Sequence, residues 1–382
     1  MPSVPPELSD YIVDYLYNDS RALIACSLVC RDWVATSRFH LFGRVTIDNA
    51  RLCGAFCRLL KTSGGGIASY VRELIISKLS ATDSELLIIE DALPPILALL
   101  HRAKMLTLTT LDLNPAIKRG LQLLPRSSTT ELEVQYCHFP SFQDFAQLLD
   151  AFHHLEHLTV RGVSWSSTAF VPEHSSAWPI ARAEHRPAWA MKLRSLTIGR
   201  DVDVSTFLGF LCSGRYCSNI VSLSVCCTFE EDADAVRSYL DVVGPSLNHL
   251  EVEWNPCHLG VNAVILPRDL SIENCEHLET LVLRCVILKG FSIPWVPALL
   301  STLHSTFIQK IVFEIRVLGD LDALDWKWLD AVLSEPRFAH IEALVVKLRL
   351  WSALALSQEE ARGIVCERFR LLGSRRILQF AS

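Results

Sequence analysis

The sequence predicts an α/β repeat fold: a short module of three helices, then an irregular array of strand–helix units forming a solenoid with a curved parallel sheet. Three observations carry that prediction. A phrase with apolar residues at its first, fourth and sixth positions recurs along most of the chain, as in Leu193/Leu196/Ile198, Ile220/Leu223/Val225 and Leu247/Leu250/Val252. The intervals between phrases hold amphipathic stretches with helix start and stop residues. Residues 5–42 lack the phrase and show helical spacing instead.

Composition sets the outer limits. The chain has 382 residues, 50% of them apolar and 20% charged, so it can bury an extensive core and lies far from disordered compositions. Its 36 Lys+Arg against 42 Asp+Glu leave a net charge of −6, which provides no global basic field for nucleic acid or an anionic membrane. The start Met1-Pro2-Ser3-Val4-Pro5-Pro6 lacks the basic and apolar regions of a secretory signal. The apolar run Leu86–Leu100 is interrupted by Glu90, Asp91, Pro94 and Pro95, short of the roughly 20 residues that span a bilayer. The expectation is a soluble protein of the cytoplasm and/or nucleus, its thirteen cysteines reduced.

In the first module, Pro5-Pro6 can open a helix with Glu7 in its first turn, and Leu8, Ile12 and Leu16 form a stripe at i, i+4, i+8. Asn18-Asp19-Ser20 breaks that helix and caps a second one from Arg21 to Cys26, which leads into Leu28-Val29-Cys30-Arg31-Asp32-Trp33. Three short helices in about forty residues bury too little to stand alone, so the module leans on the rest of the chain, on a partner, or on both. Leu28 and Trp33 are expected in its core, whereas Pro5 and Leu8 are expected to face a partner.

Further phrases are read at Val71/Leu74/Ile76, Leu108/Leu111/Leu113, Leu155/Leu158/Val160, Leu278/Leu281/Leu283, Ile308/Ile311/Phe313 and Ile341/Leu344/Val346, with a weaker copy at Leu132/Val134. Middle positions 196, 223, 250, 281, 311 and 344 are spaced by 27, 27, 31, 30 and 33, enough for one strand and one helix per unit. Ser141 should start a helix over 142–151, Asp232–Val243 should stop at Gly244-Pro245, and Ser357 should start one over Gln358–Leu372 that stops at Gly373. Arg375–Phe380 reads as a final strand whose arginines help close an open edge. Residues 164–189 form an overlong interval holding Trp165, Phe170, Trp178 and Trp189, so Trp178 is a candidate anchor for a partner or for the array's own flank.

The blocks Val4-Pro5-Pro6-Glu7-Leu8, Tyr11-Ile12, Tyr15-Leu16, Leu23, Cys26-Ser27-Leu28-Val29-Cys30-Arg31-Asp32-Trp33 and Leu41-Phe42-Gly43-Arg44-Val45 together resemble an F-box in order and spacing. Val4 stands where that family usually has leucine and Phe42 where tryptophan is common. Leu270–Leu281 resembles a leucine-rich repeat of the cysteine-containing kind, and the whole is similar to F-box proteins with degenerate leucine-rich repeats that are numerous in mushroom-forming fungi. The resemblance implies an F-box at 1–45, a leucine-rich-repeat-like solenoid at 46–382, and docking on the SCF adaptor, and through it a cullin, by Val4, Pro5, Leu8 and Ile12. The chain would be the substrate-recognition subunit of the ubiquitin ligase. A scaffold that promotes no ubiquitination, or an α/β enzyme with an unrecognised site, are the alternatives.

No enzyme motif competes with this reading. Gly64-Gly65-Gly66 lacks a following Lys-Ser/Thr and reads as a flexible link, no G-x-S-x-G occurs, and the cysteines show no paired C-x-x-C. In Cys137-His138 and Cys257-His258 adjacent strand residues point to opposite faces, which argues against a thiolate–base pair. No catalytic residue, metal or cofactor is expected. Strand alternation places Glu73, Asp112, Glu131, Glu133 and Gln135 on the open face of early units, and Arg284, Lys310, Arg316, Lys347 and Arg349 on that of late ones. The expected face is acidic early and basic late, and its basic stripe should receive an acidic or phosphorylated segment of an unknown target protein.

Overall fold

The computed structural model describes residues 5–79, 83–112, 117, 121, 128–167, 192–213, 219–255, 270–289, 292–352 and 356–381. It comprises two compact units, Met1–Met191 and Lys192–Ser382. Both are α/β, and their main-sheet strands are parallel, five in the first unit and seven in the second.

The first unit begins with three helices, α1 (Pro6–Tyr15), α2 (Ser20–Val29) and α3 (Arg31–Phe42). Pro6 occupies the first turn of α1, and the Asp19 carboxylate caps α2 by accepting from the backbone N–H groups of Arg21 and Ala22 at 3.0 Å. The core of this module is Val13, Leu23 and Cys26, against which Leu16, Trp33 and Leu41 pack. Trp33 therefore serves the interior as expected. Leu28 does not; it is 82% exposed, because the side of α2 that packs inward is the one carrying Leu23 and Cys26.

The sheet starts directly after α3 with β1 (Arg44–Ile47) and continues, each strand followed by its return to the next, through α4 (Ala50–Thr62), β2 (Glu73–Ser77), α5 (Asp83–Leu99), β3 (Met105–Thr109), β4 (Glu131–Gln135), β5 (His138–Ser141), α6 (Phe142–Leu149), β6 (His157–Arg161) and β7 (Ser164–Ser167). β1, β2, β3, β4 and β6 pair in that order, while β5 and β7 form a separate parallel pair. Register corrects one phrase. Leu106 and Leu108, not Leu111 and Leu113, align with Leu74 and Ile76, so that copy reads Ala103/Leu106/Leu108. Alanine at the first position weakened the true phrase, and Leu108-x-x-Leu111 imitated it one step later. The weak copy Leu132/Val134 is genuine; its first position is Thr129, buried, whose hydroxyl donates to the Ala103 carbonyl at 3.4 Å. The glycine run ends α4, with Gly64 and Gly65 at φ +57° and +81°, so it is a helix stop and not a link.

The second unit contains β8 (Ser195–Ile198), α7 (Val204–Ser213), β9 (Ser222–Cys227), α8 (Glu230–Val243), β10 (His249–Trp254), β11 (Thr280–Ile287), α9 (Trp295–Ser301), β12 (Lys310–Val317), α10 (Trp326–Leu333), β13 (Ala343–Leu350), α11 (Gln358–Arg368) and β14 (Leu378–Phe380). Neighbouring strands pair in sequence order. The phrase residues form continuous buried rows: Leu196, Leu223, Leu250, Leu281, Ile311 and Leu344 share one register and are each 0% exposed.

Helix ends follow side-chain chemistry. Ser141 caps α6 and Ser357 caps α11, where Glu360 returns the bond to the Ser357 N–H. α8 begins at Glu230, two residues before Asp232, whose carboxylate accepts from the N–H groups of Thr228 and Phe229. α11 ends at Arg368, earlier than expected, since the buried Asp330 carboxylate takes the Leu371 and Leu372 N–H groups. Arg375 donates to the carbonyls of Phe338 and Ala339, so it ties the last unit to the loop before β13 and leaves the strand edge untouched.

Leu250→Ala should open a cavity beneath β10 and cost about 2–5 kcal/mol, and Glu251→Ala, on the opposite face, about 1 kcal/mol or less. Chemical denaturation of both variants checks this; equal losses would mean that the strand faces are assigned wrongly.

Candidate functional site

The second unit presents an open sheet face opposite its apolar rows, and three successive rows of side chains organise it. Beyond Thr280, Lys310 and Ala343, which open these strands, the first of the three is apolar: Val282, Val312 and Val345 stand beside one another and are buried although they point away from the helix side, with Ala343 and Ala381 packed against them. Valine, β-branched, suits such a pleated surface.

The next row is charged. Glu253, Arg284, Glu314 and Lys347 are register partners on β10, β11, β12 and β13, so unlike charges alternate across the sheet. Arg284 Nε donates to Glu314 Oε2 at 2.8 Å, and Lys347 Nζ donates to Glu314 Oε1 at 2.7 Å. Arg284 also pairs with Glu251, which accepts from the Ser224 hydroxyl at 2.8 Å. Arg200, which follows β8, reaches across β9 to donate to Glu253, Nε to Oε1 at 2.9 Å. Burial alone would raise the Glu314 pKa, but the Lys347 hydrogen bond and the Arg284 charge outweigh it and hold the carboxyl below its usual range. For Arg284, burial opposes the charged form, and Glu251 and Glu314 more than compensate, raising its pKa. Partial burial lowers the His249 pKa, with Arg284 and Lys310 acting in the same sense and Glu251 against them.

The third row lies at the C-terminal ends of the strands and differs in kind. Arg316 and Arg349 are register partners on β12 and β13, and among the described residues neither has a carboxylate or hydrogen-bond partner. Together with Arg200, Glu253, Arg284, Val286 and Glu314 they line a concavity of about 230 Å³.

The expected basic stripe is thus corrected. Arg284 and Lys347 are neutralised by Glu251 and Glu314, which adjoining strands bring within bonding distance. Lys310 is exposed and lies six residues before Arg316 on β12, about 20 Å away at ~3.3 Å per residue. Of the five basic candidates only Arg316 and Arg349 meet in the concavity without partners among the described residues. On the early strands Glu131, Glu133 and Gln135 do share the open side of β4, but Glu73 pairs with Arg44 at 3.3 Å. Asp112 lies off the main sheet, bridged to His138.

The N-terminal helices carry a second candidate surface. Leu8, Tyr11, Ile12 and Tyr15 follow the spacing i, i+3, i+4, i+7 on α1 and are 56%, 70%, 48% and 83% exposed. Ile24, Leu28 and Val29 on α2 are exposed as well. Pro5 is exposed at the start of α1. The inward side of α1 is Ser9, Val13 and Leu16, so the Leu8–Ile12 stripe of the sequence reading splits from Leu16. Tyr11 and Tyr15 extend the set that sequence reasoning placed at Leu8 and Ile12, and helical spacing from Leu8 marks both. Val4 and Trp178 lie outside the described residues. Of the long aromatic interval, Trp165 is on β7 and packs against Phe142 at a ring distance of 5.0 Å.

Cysteine chemistry is muted by burial. Desolvation pushes the Cys137 thiol up to about 11 and the Cys53, Cys226, Cys275 and Cys285 thiols up to about 12. Next to Cys137, His138 is turned away from it toward the hydroxyls of Ser164 and Ser166. Cys257-His258 falls outside the described residues. Among the described residues no helix is long and apolar enough to cross a membrane, and no three His, Cys, Asp or Glu residues gather as metal ligands. No protein-family model matches this chain, and no curated protein matches it either.

Glu314→Gln should cost about 1 kcal/mol at pH 7 by weakening two partly exposed ion pairs. Because the native carboxyl titrates below its unfolded value, the ion pairs' contribution is complete above the unfolded glutamate pKa and is lost as pH falls through the folded one. The gap between wild type and variant should therefore close on acidification, as denaturation at pH 7 and pH 3 would reveal.

Proposed function

We propose that this chain is the substrate-recognition subunit of an SCF-type cullin–RING ubiquitin ligase, its N-terminal helices docking on the adaptor and its repeat array, read as a leucine-rich-repeat solenoid, capturing a target protein. The observation that carries the reading is the exposed apolar face of α1, Leu8, Tyr11, Ile12 and Tyr15, on a module of three short helices. Contiguous apolar surface of that kind on a small module marks a protein interface. Its residues belong to the same blocks whose order and spacing resemble an F-box. The remaining chain supports the second half of the reading, since one side of its repeated strands is spent on the core and the other is left to variable polar residues. In this reading the chain performs no bond chemistry and takes no cofactor.

Replacing Pro5 and Leu8 together with alanine should weaken binding to purified adaptor by about 30-fold to 1000-fold, on the order of 2–4 kcal/mol. Both side chains are exposed, so thermal stability should stay within a few degrees of wild type. Titration of adaptor against both proteins measures the loss. Equal affinity would remove these residues from the interface, and no adaptor binding by the native chain would overturn the reading altogether.

A further inference from the structure

Arg316 and Arg349 pose an electrostatic problem that no described residue of the fold solves. They are neighbours on parallel strands whose backbones run about 4.8 Å apart, where like charges destabilise a sheet. One row away, Glu253, Arg284, Glu314 and Lys347 show the usual solution, with each charge set against an opposite one. An unrelieved like-charge pair in a concavity, beside a row so fully compensated, is the pattern of a site that keeps stability in reserve for a ligand.

The lining tells what ligand. Four arginines, Arg200, Arg284, Arg316 and Arg349, face two glutamates, Glu253 and Glu314, an excess of two positive charges. Both glutamates are already engaged, Glu253 by Arg200 and Glu314 by Arg284 and Lys347, so they hold the rim arginines in place and do not compensate Arg316 and Arg349. Guanidinium forks match the oxygens of a phosphate, and a phosphate monoester carries about −1.5 to −2 at neutral pH, whereas a carboxylate brings a single charge. The volume of about 230 Å³ is below the roughly 300–1,000 Å³ of pockets that enclose a drug-sized molecule, so the concavity takes a charged group presented by something larger or a very small molecule. A nucleic-acid track is disfavoured, because the chain is net negative and the unpaired arginines occupy one spot.

We propose that the concavity at the C-terminal ends of β10–β13 is a phosphate-monoester site in which Arg316 and Arg349 bind the dianion and Arg200 and Arg284 form a fixed rim. The inference deepens the target-capture half of the proposed function, and it rests on that reading only for the phosphate being carried on a protein.

The test titrates the full chain calorimetrically with inorganic phosphate, with glycerol 3-phosphate, and with a capped phosphoserine peptide and its unphosphorylated counterpart. Saturable binding of the phosphorylated ligands at one site is expected, weakened about 100-fold or more in the double variant R316Q/R349Q and unchanged in K310Q, which lies on the same face outside the concavity. Removing the like-charge pair should leave the melting temperature of the double variant equal to or above that of wild type, and phosphate should raise only the wild-type value. The proposal is overturned if the native chain shows no saturable phosphate-monoester binding, if R316Q/R349Q binds as well as wild type, or if that variant melts lower, which would make the arginines structural. Tighter binding of the phosphopeptide than of glycerol 3-phosphate assigns the group to a phosphorylated protein; the reverse order keeps the site and assigns it to a small phosphorylated molecule. Adaptor binding is measured on the same preparations. A chain that binds phosphate but no adaptor would sink the ligase reading and spare the pocket, and a chain that binds adaptor but no phosphate would do the opposite.

Discussion

Parallel strand register is the constraint on which the rest of this protein depends. In each unit successive strands pair residue for residue, so the apolar positions of one phrase lie beside those of the next and make rows that no single repeat could bury alone. A shift of one residue would turn every one of these side chains to the other face. The register also brings a hydroxyl of the following repeat to the backbone carbonyl of the first phrase position, just before the strand: Thr129 donates to Ala103, Ser246 to Ile220 and Ser305 to Leu278. Buried backbone carbonyls outside the ladder still need donors, and these hydroxyls provide them.

With one sheet face committed to the core, the other is free to hold charge, and on β10–β13 two neighbouring rows use that freedom in opposite ways. Where acid and base alternate, each charge is held by an opposite one on the adjoining strand. Where Arg316 and Arg349 adjoin, the same geometry brings repulsion. The contrast arises from the choice of residue at positions two apart on the same strands, Glu314 against Arg316 and Lys347 against Arg349.

The N-terminal helices divide their surfaces in a comparable manner. Val13, Leu23 and Cys26 suffice to hold three helices together with the help of Trp33 and Leu41, and the larger apolar side chains of α1 are not needed for that purpose. Tyr11 and Tyr15 keep their hydroxyls within reach of water while offering ring faces, which is the chemistry of residues enriched at protein interfaces.

Much of this was legible in the sequence. The α/β alternation, the strands from Leu193 onward, the caps at Asp19, Ser141 and Ser357 and the final strand all follow from local rules, because a phrase of period two and a hydroxyl before a helix act over a few residues. Leu28 shows where local rules stop, since helical spacing marks an apolar residue without saying whether the neighbouring helix covers it. The basic stripe shows the same limit. Alternation correctly put Arg284, Arg316, Lys347 and Arg349 on one face, yet the partners that neutralise Arg284 and Lys347 lie about thirty residues away in sequence and one strand away in space. On the strands of the second unit the sequence by itself determined which residues face out. Only the tertiary structure decided which of those charges remain unpaired, because an ion pair depends on the register between distant strands, and no local pattern encodes that distance.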